Sequence, residues 1–534
     1  MARRRDAEGN SACSSLKSIL LILSIAGLII WQNCSANQWR NQLPQPILPD
    51  YKSIEELYWK TWEILSANIQ HGNSANGFVR EYINAEEDIF IVQGPTIQTA
   101  LFGSYGADVF PVMESLDNFY RGQRKDGFIA RIYNSLTGEY LHIPSVTEPM
   151  IHPPLFTWAE LHYYYLTGDR HRLRCWRPVL EQYFQWLDNF CKGDGEARGL
   201  YYTSISGTRM INSPRKPNEL GGWVDMSAQM ALFARDLAQI AAIFGDSAAV
   251  LNYRQKYEQI ATAVRNRLWH ADDAFYYDLT PQGQMLKLKI ISGFWPLLAQ
   301  IPTPEEAAQL IEHLRDSREF YRQHLFPSLA AAEQDYNRQG AYWRGGVWGD
   351  QCYMVIKGLK QYGEYDFANQ AAWNHIINLE RVYRQFQADT TLVEVRDRAK
   401  VAQTIWEVYA PEKEEPATRW DAKFYGRPAY VASSGFGPVA MLIEDVLGFE
   451  ANAPQDELTW RPWLLNQHGI RNFKFGKNLV TIWCEKREST DAPLKIHGTT
   501  SSPFKLNVWL NGKSKTINLK RGRIRLELNP ADMQ

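Results

Sequence analysis

The chain predicts a mainly α fold, a toroid of paired helices followed by a small C-terminal β-sandwich-like domain, and three observations lead there. Helical patterns follow one another in pairs joined by short turns from about Tyr51 to Phe449. After Ala451 the pattern changes to short β-rich runs separated by turn residues such as Asn511-Gly512. No unit of roughly 30–45 residues repeats across the helical part, which weighs against an α-solenoid without removing it.

The N-terminus comes first. Arg3, Arg4 and Arg5 precede an apolar stretch from Ser18 to Trp31. It falls short of the about 20 residues of a spanning helix. The basic flank and the small residues around Cys34-Ser35-Ala36 fit a signal peptide or a membrane anchor over residues 1–36. Because basic residues stay cytoplasmic, the rest of the chain is expected outside, in the cell envelope. It would be secreted, or held to the membrane by that segment as a transmembrane helix. Residues 37–50, with Pro44, Pro46 and Pro49, read as a linker.

The helical domain is placed at 51–450. Trp158–Tyr165 and His171–Phe190 pair around Thr167-Gly168-Asp169. Ala228–Phe244 carries Met230, Phe233, Leu237 and Ile240 at helical spacing and stops at Gly245, after which Val250–Trp269 follows. Thr303 before Pro304 is a cap followed by proline at the first helical position. Tyr353–Tyr362, Tyr365–Phe386 and Tyr430–Leu447 continue the series. The domain at 451–534 contains strand patterns at Asn472–Phe475, Leu479–Lys486, Leu494–Gly498, Leu506–Leu510, Ser514–Leu519 and Ile524–Leu528.

With 58 basic against 59 acidic residues, the chain lacks the cationic surplus that a nucleic-acid binder needs. Its 19 Trp and 27 Tyr supply core bulk or faces on which sugar rings stack. Six cysteines are scattered without metal spacing. No metal or cofactor is expected, and a Cys175–Cys191 disulfide is allowed but not required.

Six segments, in order, carry a resemblance: Gln123-Arg-Lys-Asp-Gly-Phe-Ile129, His152-Pro-Pro-Leu-Phe-Thr-Trp158, Leu268-Trp269 with Phe275-Tyr-Tyr-Asp278, Tyr342-Trp-Arg-Gly-Gly-Val-Trp348, Thr404-Ile-Trp-Glu-Val-Tyr409, and Ser434-Gly-Phe-Gly437. Together they resemble the glycoside hydrolase clan of trehalase, mannosylglycerate hydrolase and processing α-glucosidases. That resemblance implies an (α/α)6 barrel, an inverting mechanism and a carbohydrate substrate, a small glycoside or oligosaccharide. It makes Glu407 the general base and makes Trp343, Arg344, Trp348, Asn212 and Arg215 substrate-binding residues. Trp406 and Tyr409 around Glu407 are expected to exclude water and raise its pKa.

Inversion needs a second carboxyl across the scissile bond, roughly 6.5–9.5 Å away. Here the chain departs from the family. In Ser206-Gly-Thr-Arg-Met-Ile-Asn-Ser-Pro-Arg215, Ile211 stands where the resembling segment has its aspartic acid, and the early sugar-contacting acid is missing near Gln93-Gly94-Pro95. Asp225 or Asp350 is the replacement acid, each also readable as a helix cap. The alternative is a carbohydrate-binding pseudoenzyme that has lost its acid. A terpene cyclase is the weaker third reading, since no Asp-rich run is present.

Overall fold

A computed structural model describes residues 38–86 and 89–533. The helices that build its ring are α1 (Lys52–Ala67), α2 (Gln93–Gly103), α3 (Glu114–Arg121), α4 (Phe156–Thr167), α5 (Arg170–Phe190), α6 (Val224–Ile243), α7 (Ser247–Leu268), α8 (Trp295–Leu298), α9 (Pro304–Arg315), α10 (Gly349–Gln361), α11 (Tyr365–Gln385) and α12 (Gly437–Val446), and a further single turn of helix lies at Ile205–Thr208. The even-numbered helices touch in sequence, α2 to α4, α6, α8, α10 and α12, and α12 returns to α2. Such a closed cycle differs from a solenoid, whose two ends stay apart. Outside it α3 lies on α2, α5 on α4 and α6, α7 on α6, and α11 on α10 and α12.

Local chemistry explains most of the boundaries. The Asp169 side chain accepts from the His171 and Arg172 N–H groups and starts α5, directly after Gly168 closes α4 in a left-handed conformation (φ 74°). Thr303 and Glu306 form a reciprocal capping box on α9. Sequence periodicity predicts an ordinary helix over Tyr430–Leu447. The structure has a 3-10 turn at Ser434–Phe436 and then π-helix, a wider winding that a pattern of apolar residues does not distinguish.

The C-terminal part is a two-sheet β structure. One sheet orders β1 (Gln45–Ile47), β4 (His468–Phe475), β5 (Asn478–Cys484), β6 (Leu494–Thr500) and β9 (Gly522–Leu528). The other orders β2 (Phe449–Asn452), β3 (Glu457–Trp460), β7 (Phe504–Leu510) and β8 (Lys513–Leu519). The stretch expected as a linker therefore supplies an edge strand, with Pro46 opposite Ile470. Proline is tolerated there because an edge strand leaves one row of N–H groups unused. One continuous apolar core joins both parts, with Tyr105 against Phe473 and Trp373 against Trp463.

Two expectations change. The transmembrane helix and membrane attachment are corrected, because no helix among the described residues is long and apolar enough to cross a membrane. The expected signal or anchor over residues 1–36 lies outside the described residues. Cys175 is exposed, Cys191 is buried, and both are free thiols.

The shared core gives a stability prediction. Trp460 is fully buried, stacks on Phe449 and donates its indole N–H to the Leu447 carbonyl at 2.9 Å. Trp460→Ala should cost about 3–5 kcal/mol in chemical denaturation, with far-UV dichroism and tryptophan fluorescence moving together. A separate early transition that spares the helical signal would contradict the joint core.

Candidate active site

Each inner helix begins at the same end of the ring. Gln98 of α2, Trp158 of α4, Asp225 of α6, Trp295 of α8 and Asp350 of α10 line one cavity of about 50 Å³ there, with Phe436 just ahead of α12. Trp343, Trp348 and Arg209 complete its wall. The two tryptophans stack face to face, with centroids 4.2 Å apart and planes 7° apart. Both are buried, and neither indole N–H has a hydrogen-bond partner. They present polar edges and an aromatic platform to whatever enters.

The loop carrying them is held in a costly shape. Ala341 and Tyr342 are successive non-glycine residues with positive φ, 38° and 64°, a conformation that costs on the order of 1–3 kcal/mol per residue. It persists because the Tyr342 N–H donates to the Thr418 carbonyl, and Val347 and Tyr409 exchange backbone bonds of 2.9 and 3.1 Å. As a result the Tyr342 hydroxyl reaches Glu407 Oε1 at 2.7 Å.

Glu407 is 2 % exposed and bound on several sides. Arg427 donates from Nη2 to its Oε1 at 2.9 Å and from Nε to its Oε2 at 3.3 Å. Burial pushes the Glu407 carboxyl up, but the Arg427 charge and the bonds from Arg427 and Tyr342 outweigh it, so its pKa is lowered. Glu407 is buried, but Trp406 packs on Phe386 and Tyr425 and Tyr409 on His324; the expected rise in pKa is reversed, because a cation sits in contact. The Glu407 carboxylate does not itself line the cavity. Tyr342 stands next to it, edge-on to Trp348 at 4.8 Å.

A chain of polar contacts leads from Glu407 into the cavity. Arg427 Nη1 donates to Glu86 Oε2 at 2.7 Å, Glu86 Oε1 lies 3.6 Å from Arg209 Nη2, and Arg209 Nη1 donates to Gln98 Oε1 at 3.2 Å. Gln98 Nε2 then donates to Asp350 Oδ2 at 2.7 Å. Oδ2 also accepts from Gln351 at 3.0 Å, whereas the buried Oδ1 has no partner. Burial raises the Asp350 pKa, against a smaller opposing pull from Arg209.

Asp225 is engaged differently. Arg215 donates to both of its oxygens, at 2.7 and 2.9 Å, and to both oxygens of Asp278, at 2.6 and 2.7 Å. The guanidinium also lies 4.1 Å over the Trp223 ring. This buried triad ties the start of α6 to the Phe275–Leu279 segment, and Ser292 adds a bond to Asp225 at 3.2 Å. Asn212 likewise stitches loops, its Nδ2 donating to the Ala341 carbonyl and its Oδ1 accepting from the Trp343 N–H. Arg344 points outward to Asp335 at 2.9 Å. Of the expected residues, Trp343, Trp348, Asp225 and Asp350 meet at the cavity. Glu407, Asn212 and Arg215 stand behind its wall, and Arg344 lies away from it.

Arg209, Glu86, Gln98, Tyr342 and Arg427 were not singled out from the sequence. The signal for Arg209 is the run Ser206–Arg215, which departs from the segment it resembles. This loop turns through Arg209 (φ 69°) and brings the side chain so close to α2 that a β-carbon at Gly94 would meet Arg209 Cδ at 2.9 Å. Ile211, in the position of the expected acid, is 49 % exposed instead. Ile211→Asp should therefore leave folding stability within about 0.5 kcal/mol and leave hydrolysis unchanged. A gain in glycoside turnover in steady-state assays would show that position 211 reaches the substrate after all.

Comparison with known proteins agrees with this architecture. The family model of the mannosylglycerate hydrolase MGH1-like glycoside hydrolase domain matches residues 111–427. An uncharacterized protein of Borreliella burgdorferi is 26% identical over 443 residues, covering 82% of this chain and 89% of its own length. The mannosylglycerate hydrolase of Thermus thermophilus is 33% identical over 197 residues, 35% of this chain and 42% of that enzyme. The crystal structure of a GH63 mannosylglycerate hydrolase from Thermus thermophilus in complex with glucose superposes with a TM-score of 0.54 at 19% identity, covering 72% of this chain and 99% of that one.

Proposed function

The chain belongs to the mannosylglycerate hydrolase MGH1-like glycoside hydrolase family, and from that premise we propose an inverting glycosidase on an (α/α)6 toroid whose working carboxyls are Glu407 and Asp350. One observation carries the reading: two buried carboxyls stand on one chain of polar contacts at the same end of the ring, Glu407 held by the Arg427 cation and Asp350 with one oxygen unpartnered, so charge and burial push their pKa values in opposite directions. Such a split is how an acid and a base are assigned to chemically similar groups. In this reading Asp350 gives a proton to the leaving oxygen from the cavity wall, and Glu407, which stands behind that wall in this structure, takes one from the attacking water once substrate entry has moved Arg209 and opened the wall to it. Asp225 is the poorer acid, since Arg215 occupies both of its oxygens. The substrate we propose is a small glycoside with one ring on the Trp343–Trp348 platform. The Arg3–Arg5 cluster ahead of Ser18–Trp31 supports export of the enzyme from the cytoplasm.

A second reading has its own observation. The cavity of about 50 Å³ holds roughly one or two waters, against the 300 Å³ or more of a usual ligand site, and Arg209 fills part of it. For hydrolysis the Arg209 side chain must swing out when sugar enters. If it does not, the chain binds carbohydrate elsewhere on this end without turning it over.

The test separates the two. Asp350→Asn should slow hydrolysis of ordinary glycosides about 10²–10⁴-fold but spare glycosyl fluorides, whose leaving group needs no proton. Glu407→Gln should abolish both activities. Sugar binding without turnover of either substrate by the wild type supports the binding module instead.

The pH profile follows from the same pair. Activity should fall at the acid side as Glu407 takes up a proton and at the alkaline side as Asp350 loses one. Removing the cation with Arg209→Ala should move the alkaline limb of kcat/KM to higher pH, because Arg209 pulls the Asp350 pKa down. A limb that stays in place would assign it to another group.

A further inference from the structure

The inner helices connect two cavities. From the end already described they run to the opposite mouth of the ring, where their C-terminal halves surround a second cavity of about 400 Å³. Asp225 of α6 lines the first and Asp236 the second; Asp350 of α10 lines the first and Lys357 the second. At 1.5 Å rise per residue the α6 pair is separated by about 16 Å. Trp158 of α4 lines both cavities and stacks on Tyr353 at 5.5 Å, so its ring forms part of the partition.

We propose that this opposite mouth is a second carbohydrate site, separate from the catalytic cavity, that takes a neutral polyol the size of a monosaccharide. Its volume lies within the range of small-molecule sites. Trp158 and the 36 %-exposed Tyr165 offer aromatic faces to the apolar side of a sugar ring. Hydroxyls would find both donors and acceptors in Gln239, Gln361, Arg235 and Asp236. Arg235 Nε is buried without a hydrogen-bond partner. Asp236 keeps bonding capacity: its Oδ2 accepts from Thr157 at 3.1 Å, and its Oδ1 lies 3.9 Å from Arg235 Nε.

Charge selects a neutral ligand over an anion. Lys357 is matched to Glu444 at 2.6 Å and Asp445 at 2.8 Å. Glu450 bonds Lys360 at 3.0 Å and Arg461 at 2.7 Å. Arg235 donates to the Leu298 carbonyl and to Gln300 while facing Asp236. Around Glu444 the Tyr105 and Tyr353 hydroxyls and His162 fill the remaining positions. With its cations already neutralised, the mouth has no surplus positive charge to offset the desolvation of a phosphate or carboxylate.

The proposal rests on the carbohydrate chemistry of the family but not on hydrolysis. Titration of the full chain with D-glucose and D-mannose, followed by calorimetry and ligand-observed NMR, tests it. Tyr165→Ala and Gln239→Ala, both at partly exposed positions, should each weaken one bound equivalent about ten-fold, with glycoside turnover within two-fold of wild type. Trp343→Ala, in the catalytic cavity, should leave that equivalent intact. The proposal fails if neither sugar binds, if Trp343→Ala removes all binding, or if both rim variants bind as the wild type does. It also fails if glucose 6-phosphate binds more tightly than glucose at the Tyr165-sensitive site. A wild type that binds sugar there yet hydrolyses nothing would overturn the glycosidase reading and leave this site standing.

Discussion

A buried carboxylate needs a cation, and for Glu407 that cation is Arg427. Removing two such groups from water costs several kcal/mol each, and the geometry around them makes up the difference. Arg427 is shared with Glu86, lies 4.3 Å over the Tyr430 ring and donates its own backbone N–H towards Glu407. Much of the active end is arranged around this contact. The strained turn at Ala341–Tyr342 delivers one more donor to Glu407, and the Ser433 and Ser434 hydroxyls, just before α12, donate to the Glu407 carbonyl. Losing the pair would therefore loosen the loop, Glu407 and the start of α12 together.

The cavity gathers unsatisfied polar groups. Behind its wall Arg215 saturates Asp225 and Asp278, and Asn212 spends its amide on backbone. At the cavity, Asp350 Oδ1, Gln351 Oε1 and both indole N–H groups remain without partners. Buried polar atoms without partners cost about 1–3 kcal/mol each. Four such atoms belong to residues around one small space, a concentration of unused donors and acceptors that suits a polyhydroxylated ligand.

How much of this was legible in the sequence depended on the range of the interactions. Local devices read through directly: the turn at Thr167-Gly168-Asp169, the Thr303 cap, the stop at Gly245, and the strands after Ala451 lie within a few residues of where their patterns place them. Segment resemblance brought Trp343, Trp348 and Glu407 to one end because each segment keeps its loop. What could not be read were the partners that arrive from far away. Arg427 and Glu86 are 341 residues apart, Gln98 and Asp350 252, and Arg209 and Gln98 111. The Glu407 shift turns on Arg427, 20 residues on, and Tyr342, 65 residues back, neither of which the carboxyl's own neighbours announce. Position 211 is a related case: the loop leaves Ile211 exposed and sends Arg209 in.

The common direction of the six inner helices has an electrical consequence. The longer of them, α4, α6 and α10, each carry roughly half a positive charge at the start and half a negative charge at the end. Starting together, they superimpose a positive potential on the cavity beside Trp343 and Trp348 and a negative one on the opposite mouth. In that field Asp350, in the first turn of α10, would be expected to ionise readily. Burial pushes the Asp350 pKa the other way, so the two effects oppose: each water that enters weakens the desolvation while the helix starts remain, and a wetted cavity favours the ionised carboxyl more than a dry one does. The charge on Asp350 is thereby tied to how full the cavity is.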